Sequence, residues 1–228
     1  MPRPTRAAPG GLVYHVLNRA NGRRKIFERD GDYLAFERVL AETQKRLPMR
    51  ILAWCLMPNH WHLLLWPERD ADLSNYVGRV SLTHAQRWHA HRSTAGTGHL
   101  YQGRFKSFVV QDDSHFLTVC RYVEANALRA NLVRHAEDWR WCSLWRFHHG
   151  DTAQPPSISE WPVPRPSDWL AYVNEPAQRA EVDNLRRCAN RGAPYGRPDW
   201  VLGAVERLGL QSTLRERERP RAPREKGS

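Results

Sequence analysis

The sequence lacks any pair of cysteines close enough to form a Cys-x-x-Cys motif. Its four cysteines are widely separated among 228 residues, at Cys55, Cys120, Cys142 and Cys188. This spacing excludes the usual zinc ribbon and a disulfide framework, and it predicts reduced thiols in a cytosolic protein. The sequence also lacks a run of roughly 18 apolar residues and an apolar signal-peptide core. We therefore expect a cytoplasmic protein without a membrane partner.

Acidic residues are few relative to basic ones. The chain has 24 Asp and Glu against 35 Lys and Arg, a net charge of +11, together with ten Trp, seven Tyr and six Phe. A basic surface rich in aromatic residues suits phosphate backbones and stacked bases. The alternative is a solvated charged surface around a Trp-rich core. We favour nucleic acid as the partner.

Apolar periodicity predicts six elements in the first 110 residues. Alternating patterns predict strands at 12–17, 50–56, 60–66 and 105–110, and helical spacing predicts helices at 30–47 and 72–91. The order strand–helix–strand–strand–helix–strand is typical of the split βαβ, ferredoxin-like α+β fold. In that topology the first and third strands are central in an antiparallel sheet, and both helices cover one face.

Two histidines begin the third predicted strand, within Pro58-Asn59-His60-Trp61-His62. Because side chains alternate along a strand, His60 and His62 share one face and Trp61 lies on the other. Trp61 is expected to pack against the helices, so the histidines should project from the opposite, open face. There they could bind one metal ion. Two satisfied or partly exposed histidines would give the same pattern, so the motif is weak by itself.

A third helix is expected from 115 to about 130, near the open face of the sheet and after an N-cap at Asp112-Asp113-Ser114. Tyr122 and Asn126 are four residues apart and share a polar side beside its apolar stripe. An interior Asn is a poor helix former, which suggests a use for it. The alternative is that Tyr122 is a half-buried helix residue and Asn126 is merely solvated.

Basic residues cluster at two places, and the composition changes after residue 150. We expect the clusters to hold a nucleic-acid backbone; they comprise Arg19, Arg23, Arg24 and Lys25 after the first strand and Arg104 and Lys106 before the fourth.

The change in composition predicts a division of the chain. Residues 1–150 would form the main domain, and residues 151–166, with five prolines between 154 and 166, would form a linker. A small helical appendage is expected at 167–214. The basic tail 215–228 has no predicted structure.

Four stretches carry a family resemblance in combination. They are Tyr14-His15-Val16, the run from Leu56 to Leu64 with its His60-Trp61-His62 core, Tyr101-Gln102-Gly103-Arg104-Phe105-Lys106, and the run from Arg121 to Ala130. Together they resemble the single-tyrosine HUH transposases, in the bacterial branch associated with repetitive extragenic palindromes (REP). The resemblance covers roughly residues 11–145.

The resemblance implies that Tyr122 is the catalytic nucleophile and that His60 and His62 bind a divalent metal, Mg²⁺ or Mn²⁺. In better-known relatives a glutamine one turn after the tyrosine completes the metal site. That position is Asn126 here. The resemblance therefore implies that Asn126 is the third metal ligand, with a side chain one methylene shorter than glutamine. The usual Asn-Pro reads Asn126-Ala127, and since Ala is a good helix former, the third helix is expected to continue. His15, on the neighbouring strand, is a candidate for the second coordination shell.

The resemblance implies metal-dependent nicking and strand transfer on single-stranded DNA at hairpin-forming palindromic repeats, through a 5′-phosphotyrosine. The alternatives are a domesticated protein that binds DNA or RNA hairpins without cleavage, and an RNA-binding ferredoxin-like domain. The RNA-binding domain is disfavoured because such domains carry stacking aromatic residues on the open face of the sheet, whereas histidines are expected on that face here. The intact Tyr122, His60 and His62 favour the enzyme. We expect single-stranded or hairpin DNA as partner, a monomer or homodimer, and association with a bacterial nucleoid.

Overall fold

Four strands form one antiparallel sheet in the order β2–β3–β1–β4 in the computed structural model, which describes residues 8–151 and 156–215. The strands are β1 Val13–Arg19, β2 Arg50–Met57, β3 His60–Trp66 and β4 Lys106–Val110. β1 and β3 are central, and their register places Leu17 opposite His62 and His15 opposite Leu64. The predicted α+β, ferredoxin-like fold is therefore confirmed.

Two long helices cover the first face of this sheet. They are α1, Asp30–Arg46, and α2, Asp72–His91. The Asp32 carboxylate caps α1 by accepting hydrogen bonds from the backbone N–H groups of Glu28 and Arg29, at 2.9 and 3.1 Å. The apolar sides of both helices enclose Trp61, Leu63 and Leu65, which are fully buried. The strand alternation thus puts the tryptophan on the helix-covered face, as predicted.

The second face, which was expected to be open, is covered by a third helix. α3 runs from Ser114 to Glu124 and begins at Asp113, whose carboxylate accepts from the His115 N–H at 2.8 Å. Its apolar side packs on the sheet residues of this face, including Leu64 and Phe108. The third helix was expected near this face, and it closes the face because both surfaces are apolar and burying them against each other removes that area from water.

The third helix is also shorter than predicted. It ends at Glu124, Ala125 has a ψ of 8°, and a separate turn, α4, spans Asn126–Arg129. The helix propensity of Ala is worth only a few tenths of a kcal/mol, so packing of the buried Ala125 and Ala127 overrides it. The deviation is small, since the Arg129 N–H still donates to the Ala125 carbonyl at 2.9 Å.

The C-terminal half packs on the sheet and covers both of its edges. It contains α5 Ser143–His148, α6 Trp169–Asn174, α7 Arg179–Arg191, α8 Pro198–Leu208 and α9 Gln211–Leu214. The Tyr195 N–H donates to the Val109 carbonyl on β4 at 2.9 Å, and the Ser159 N–H donates to the Ile51 carbonyl on β2 at 2.8 Å. Covering both edges leaves few backbone groups for pairing with another chain.

The domain division at 150 and 166 stays a prediction, although described residues of the predicted linker contact the sheet and the helices of the main domain. Trp161, for example, donates its indole N–H to the Leu52 carbonyl at 2.9 Å. Of the predicted tail, residues 216–228 lie outside the described residues. Within 8–151 and 156–215, no helix is both long and apolar enough to cross a membrane.

Candidate active site

The two central strands bring three histidines together on the second face of the sheet. His15 on β1 and His62 on β3 are almost completely buried, at 0% and 4% exposure, and their rings stack with centroids 5.0 Å apart. His15 Nε2 lies 2.8 Å from His62 Nδ1. The His60 ring is 5.0 Å from that of His62. His60 and His62 are thus close enough to share one ligand.

Hydrogen bonds occupy one nitrogen of each β3 histidine. His60 Nδ1 lies 2.6 Å from Asn59 Oδ1, and the Asn59 amide is oriented by its own donation to the Arg23 carbonyl at 3.1 Å. The His60 Nδ1 therefore donates, and its Nε2 carries a free lone pair. In His62 the contact with His15 occupies Nδ1. In both rings Nε2 is the nitrogen left for a ligand.

The three histidines are neutral at physiological pH. Burial, together with the positive charges of Arg19 and Arg129, lowers the pKa of His60 to about 3. Burial and the Arg129 charge lower the pKa of His15 to about 3, and burial is also the main cause that places the pKa of His62 well below its usual value. Neutral imidazole is the form that coordinates metal ions.

Tyr122 and Asn126 face these histidines from the helical side. The Tyr122 ring meets the rings of His62 and His15 edge-on, with centroids 6.0 and 6.1 Å apart. Nδ2 of Asn126 is buried and has no hydrogen-bond partner in the described part of the chain. Rotating the amide by half a turn would put Oδ1 there instead. A buried amide without a partner fits a missing ligand at this position.

One cavity of about 730 Å³ contains these groups. Three of the predicted backbone-binding residues, Arg19, Arg104 and Lys106, also line it. Of the described residues that line it, none is Asp or Glu. Its charged side chains are therefore all cationic, which favours a polyanionic ligand such as a nucleic-acid backbone.

The other three predicted contacts do not line this cavity. Arg23, Arg24 and Lys25 are exposed in the loop after β1. The Arg24 guanidinium donates to the His99 carbonyl at 3.3 Å and lies 5.0 Å from the centre of the Trp88 ring. The loop lies beside the turn at Pro58, whose carbonyl accepts the Ile26 N–H. A role for these three residues in binding DNA stays a prediction.

Further cationic and amide side chains, which the sequence patterns did not assign to a site, also line the cavity. Arg129 follows Asn126 by three residues on the same polar stripe, so helical spacing could have identified it. Arg186 and Asn190 are four residues apart on α7, and Asn190 accepts a hydrogen bond from Lys106 at 2.9 Å. No local pattern connects α7 with Lys106, 84 positions before Asn190, so the sequence carries no signal for this contact.

The donor set fits a divalent ion that is completed by substrate. The described residues contain no group of three or more His, Cys, Asp or Glu arranged to hold a metal. Two imidazole nitrogens and an amide oxygen remain, from His60, His62 and Asn126, with space in the cavity for phosphate oxygens. Such a mixed nitrogen and oxygen set suits Mn²⁺ or Mg²⁺, whereas a closed structural zinc site would have four protein ligands.

Residues 10–126 match the sequence model of a transposase family described as IS200-like. The match covers just over half of the 228 residues and includes β1 through α3, with both histidines of β3 and Tyr122. The chain belongs to the IS200-like transposase family. The resemblance found in the sequence is thereby confirmed at the level of the family.

Relatives of this IS200-like transposase include proteins associated with REP sequences. The REP-associated tyrosine transposase of Escherichia coli K12 is 23% identical over 141 residues, which cover 60% of this chain and 78% of that protein. A relative from Haemophilus influenzae is 25% identical over 153 residues, covering 60% of this chain and 81% of its own. The chain therefore spans most of the length of both relatives.

A solved structure shares the fold. It is that of a REP-associated tyrosine transposase bound to a REP hairpin, and it superposes with a TM-score of 0.51 at 18% identity. The match covers 72% of this chain and 94% of that one. It therefore extends beyond residues 10–126, which confirms the fold over more of the transposase than the family match covers.

Proposed function

We propose that this IS200-like transposase nicks and rejoins single-stranded DNA at hairpin-forming palindromic repeats, through a 5′-phosphotyrosine on Tyr122. The observation that carries this proposal is the position of Tyr122, whose ring is 6.0 Å from the His62 ring in a cavity whose described lining residues include no carboxylate. A nucleophile, a pair of neutral histidines and several cations together supply what phosphodiester transesterification needs.

Tyr122 performs the covalent step. A bond forms between its Oη and the phosphorus as the bond from phosphorus to the 3′-oxygen breaks. The phenol loses its proton to solvent, and the departing 3′-oxygen gains one, so protons balance. The phosphotyrosine keeps the energy of the phosphodiester, and a 3′-hydroxyl can reverse the reaction without ATP.

His60, His62 and Asn126 would hold Mg²⁺ or Mn²⁺, which when bound polarises the scissile phosphate as a Lewis acid. His15 would act on the ion only through His62, because its hydrogen bond to Nδ1 fixes the ring of His62. Asn59 fixes the ring of His60 in the same way. Both contacts pre-orient Nε2, so little ordering is required when the metal binds.

Arg19, Arg104 and Lys106 would bind the DNA backbone at the cavity wall. Contacts to phosphates position the strand without reading its sequence. Selection of the substrate would then depend on the shape of the hairpin and on the single-stranded segment beside it. The REP hairpin bound by the structural relative supports a hairpin as substrate of this chain.

Incubation with an end-labelled single-stranded palindrome and Mn²⁺ tests the proposal. A labelled band that migrates with the protein on a denaturing gel is expected for the wild type, and none for Tyr122→Phe or after addition of EDTA. Tyr122→Phe should still retard the hairpin on a native gel, because it removes only the nucleophilic oxygen. Hairpin binding without an adduct in the wild type would instead identify a hairpin-binding protein and refute the enzyme.

A further inference from the structure

Arg129 lies directly against the proposed nucleophile. Its guanidinium carbon is 4.2 Å from the centre of the Tyr122 ring. The side chain is partly buried and lines the same cavity as His60 and His62. It reaches this place because α4 continues the polar side of α3 after the irregular residue Ala125. Position and burial set it apart from the exposed arginines of the surface.

The charge of Arg129 has no acidic partner among the described residues, either as an ion pair or as a side-chain hydrogen bond. Burial lowers the pKa of its guanidinium; Tyr122 and Cys55 oppose that shift, and the charges of Arg186 and Arg121 reinforce it. A half-buried cation without a counter-ion is costly to keep. The cavity therefore holds positive charge that an anionic ligand would neutralise.

We propose that Arg129 is a further catalytic residue, whose guanidinium binds a non-bridging oxygen of the scissile phosphate while Tyr122 attacks the phosphorus. This inference rests on the function proposed above. In a reactive complex the phosphorus lies about 3 Å from the Tyr122 oxygen. A guanidinium stacked on the same ring is within reach of the phosphate oxygens, and its planar set of donors matches them.

The role follows from where charge accumulates. As Oη bonds to phosphorus and the 3′-oxygen departs, negative charge builds on the non-bridging oxygens. A fixed cation inside a cavity stabilises that charge more than one in water does. Arg129 makes no bond and gives up no proton, so the balance of the transesterification is unchanged. The cation–π contact with Tyr122 holds the guanidinium before substrate arrives.

A purely structural role is the alternative. Arg129 lies in the last turn of α4, where a cation also interacts favourably with the helix dipole. In that case replacing Arg129 would lower the stability of the protein and slow adduct formation to the same extent on every substrate. Direct contact with the phosphate predicts instead that the defect depends on the charge of the scissile group.

The test compares two substrates after wild-type cleavage has located the scissile phosphate. One carries the natural phosphodiester there, and the other a methylphosphonate, in which a methyl group replaces one charged oxygen. On the natural substrate Arg129→Gln should form the covalent adduct about 100-fold more slowly than wild type, and Arg129→Lys should be intermediate. On the methylphosphonate the ratio of wild type to Arg129→Gln should fall to a few fold, because the charge that Arg129 neutralises is gone.

The matched control is Arg134→Gln, which removes an exposed arginine five residues later that does not line the cavity. It should leave the adduct rate unchanged on both substrates. An equal defect of Arg129→Gln on both substrates, or none on either, would overturn the role of Arg129 while the proposed function stands. Absence of any adduct from the wild type would overturn both together.

Discussion

Asn126 stands where the resemblance to the single-tyrosine transposases implies a glutamine. Its Nδ2 is buried without a hydrogen-bond partner among the described residues, and it lines the same cavity as His60 and His62, as expected of the proposed third metal ligand. The side chain of Asn is one methylene shorter than that of Gln. Its oxygen can still reach the metal if the helix backbone lies closer to the two histidines. The end of α3 at Glu124, with a separate turn beginning at Asn126, gives the backbone that freedom.

We predict that Asn126→Ala raises the Mn²⁺ concentration needed for half-maximal cleavage by about 10-fold or more, since the loss of a ligand weakens binding. Asn126→Asp should lower that midpoint, because it keeps an oxygen and adds negative charge. The midpoint is measured by titrating Mn²⁺ against adduct formation. An unshifted midpoint in Asn126→Ala would remove this residue from the metal site, and Ala would then be neutral or slightly stabilising as a better helix former.

His15 is predicted to act on the metal through His62. His15→Ala should weaken Mn²⁺ binding about 10- to 100-fold, as loss of such an orienting partner generally does. The measurement is the free Mn²⁺ signal in electron paramagnetic resonance, with hairpin DNA present and Tyr122→Phe as background. His84→Gln is the control, because His84 is equally buried on the other face of the sheet and bonds Tyr101 at 2.6 Å. Equal effects of the two changes would mean that His15 only supports the fold.

The element that positions Tyr122, the proposed nucleophile, is α3, and a buried carboxylate anchors its C-terminal end. Glu124 is fully buried, and its oxygens accept from the Ser143 hydroxyl at 2.7 Å and from the Trp169 indole N–H at 2.8 Å. Arg165 lies 3.9 Å away. Burial raises the pKa of Glu124, and these three neighbours oppose that rise. The C-terminal half thus holds the helix that carries Tyr122.

We predict that Trp169→Phe destabilises the protein by about 1–3 kcal/mol, because it leaves a buried carboxylate short of a donor. It should also slow adduct formation, since α3 loses an anchor two residues from Tyr122. Trp161→Phe is the matched control, because its indole bonds only to a backbone carbonyl of β2. Urea unfolding and adduct rates are compared for both variants. A smaller loss of stability in Trp169→Phe than in Trp161→Phe would contradict the anchoring role.

Local patterns were enough to predict the sheet and to place its histidines. The alternation of His60, Trp61 and His62 assigned both faces of β3, because one face had to bury a tryptophan. The same patterns could not show that α3 closes the second face, nor that α7 brings Arg186 and Asn190 into the cavity. Those contacts join residues far apart in sequence, and neither hydrophobic periodicity nor secondary-structure propensity predicts them. Arg129 lies three residues after Asn126 on the same polar side, but only its contact with Tyr122 supports the role proposed for it.

Charge in the molecule as a whole is expected to couple binding of the proposed metal to binding of DNA. The chain carries a net charge of +11, and five cations among the described residues line the cavity: Arg19, Arg104, Lys106, Arg129 and Arg186. Such a site should repel a divalent cation until a phosphate neutralises the positive charge. DNA binding itself should weaken steeply with added salt, as phosphate contacts generally do.

We predict that Mn²⁺ binds Tyr122→Phe at least about 10-fold more tightly when hairpin DNA is present. Thermodynamic linkage requires the same factor in the affinity for the hairpin when Mn²⁺ is added. Calorimetric titrations in both orders measure the two factors at one salt concentration. Equal Mn²⁺ affinity with and without DNA would show that the cationic lining does not control access of the metal.

The central claim is that Tyr122 carries the DNA after cleavage. Its most direct test is peptide mapping by mass spectrometry of wild-type protein after reaction with a single-stranded palindrome and Mn²⁺, followed by nuclease and trypsin digestion. We expect one modified peptide in the wild type, with a 5′-linked nucleotide on Tyr122, and no modified peptide in Tyr122→Phe. A nucleotide on another residue, or an adduct that persists in Tyr122→Phe, would contradict it.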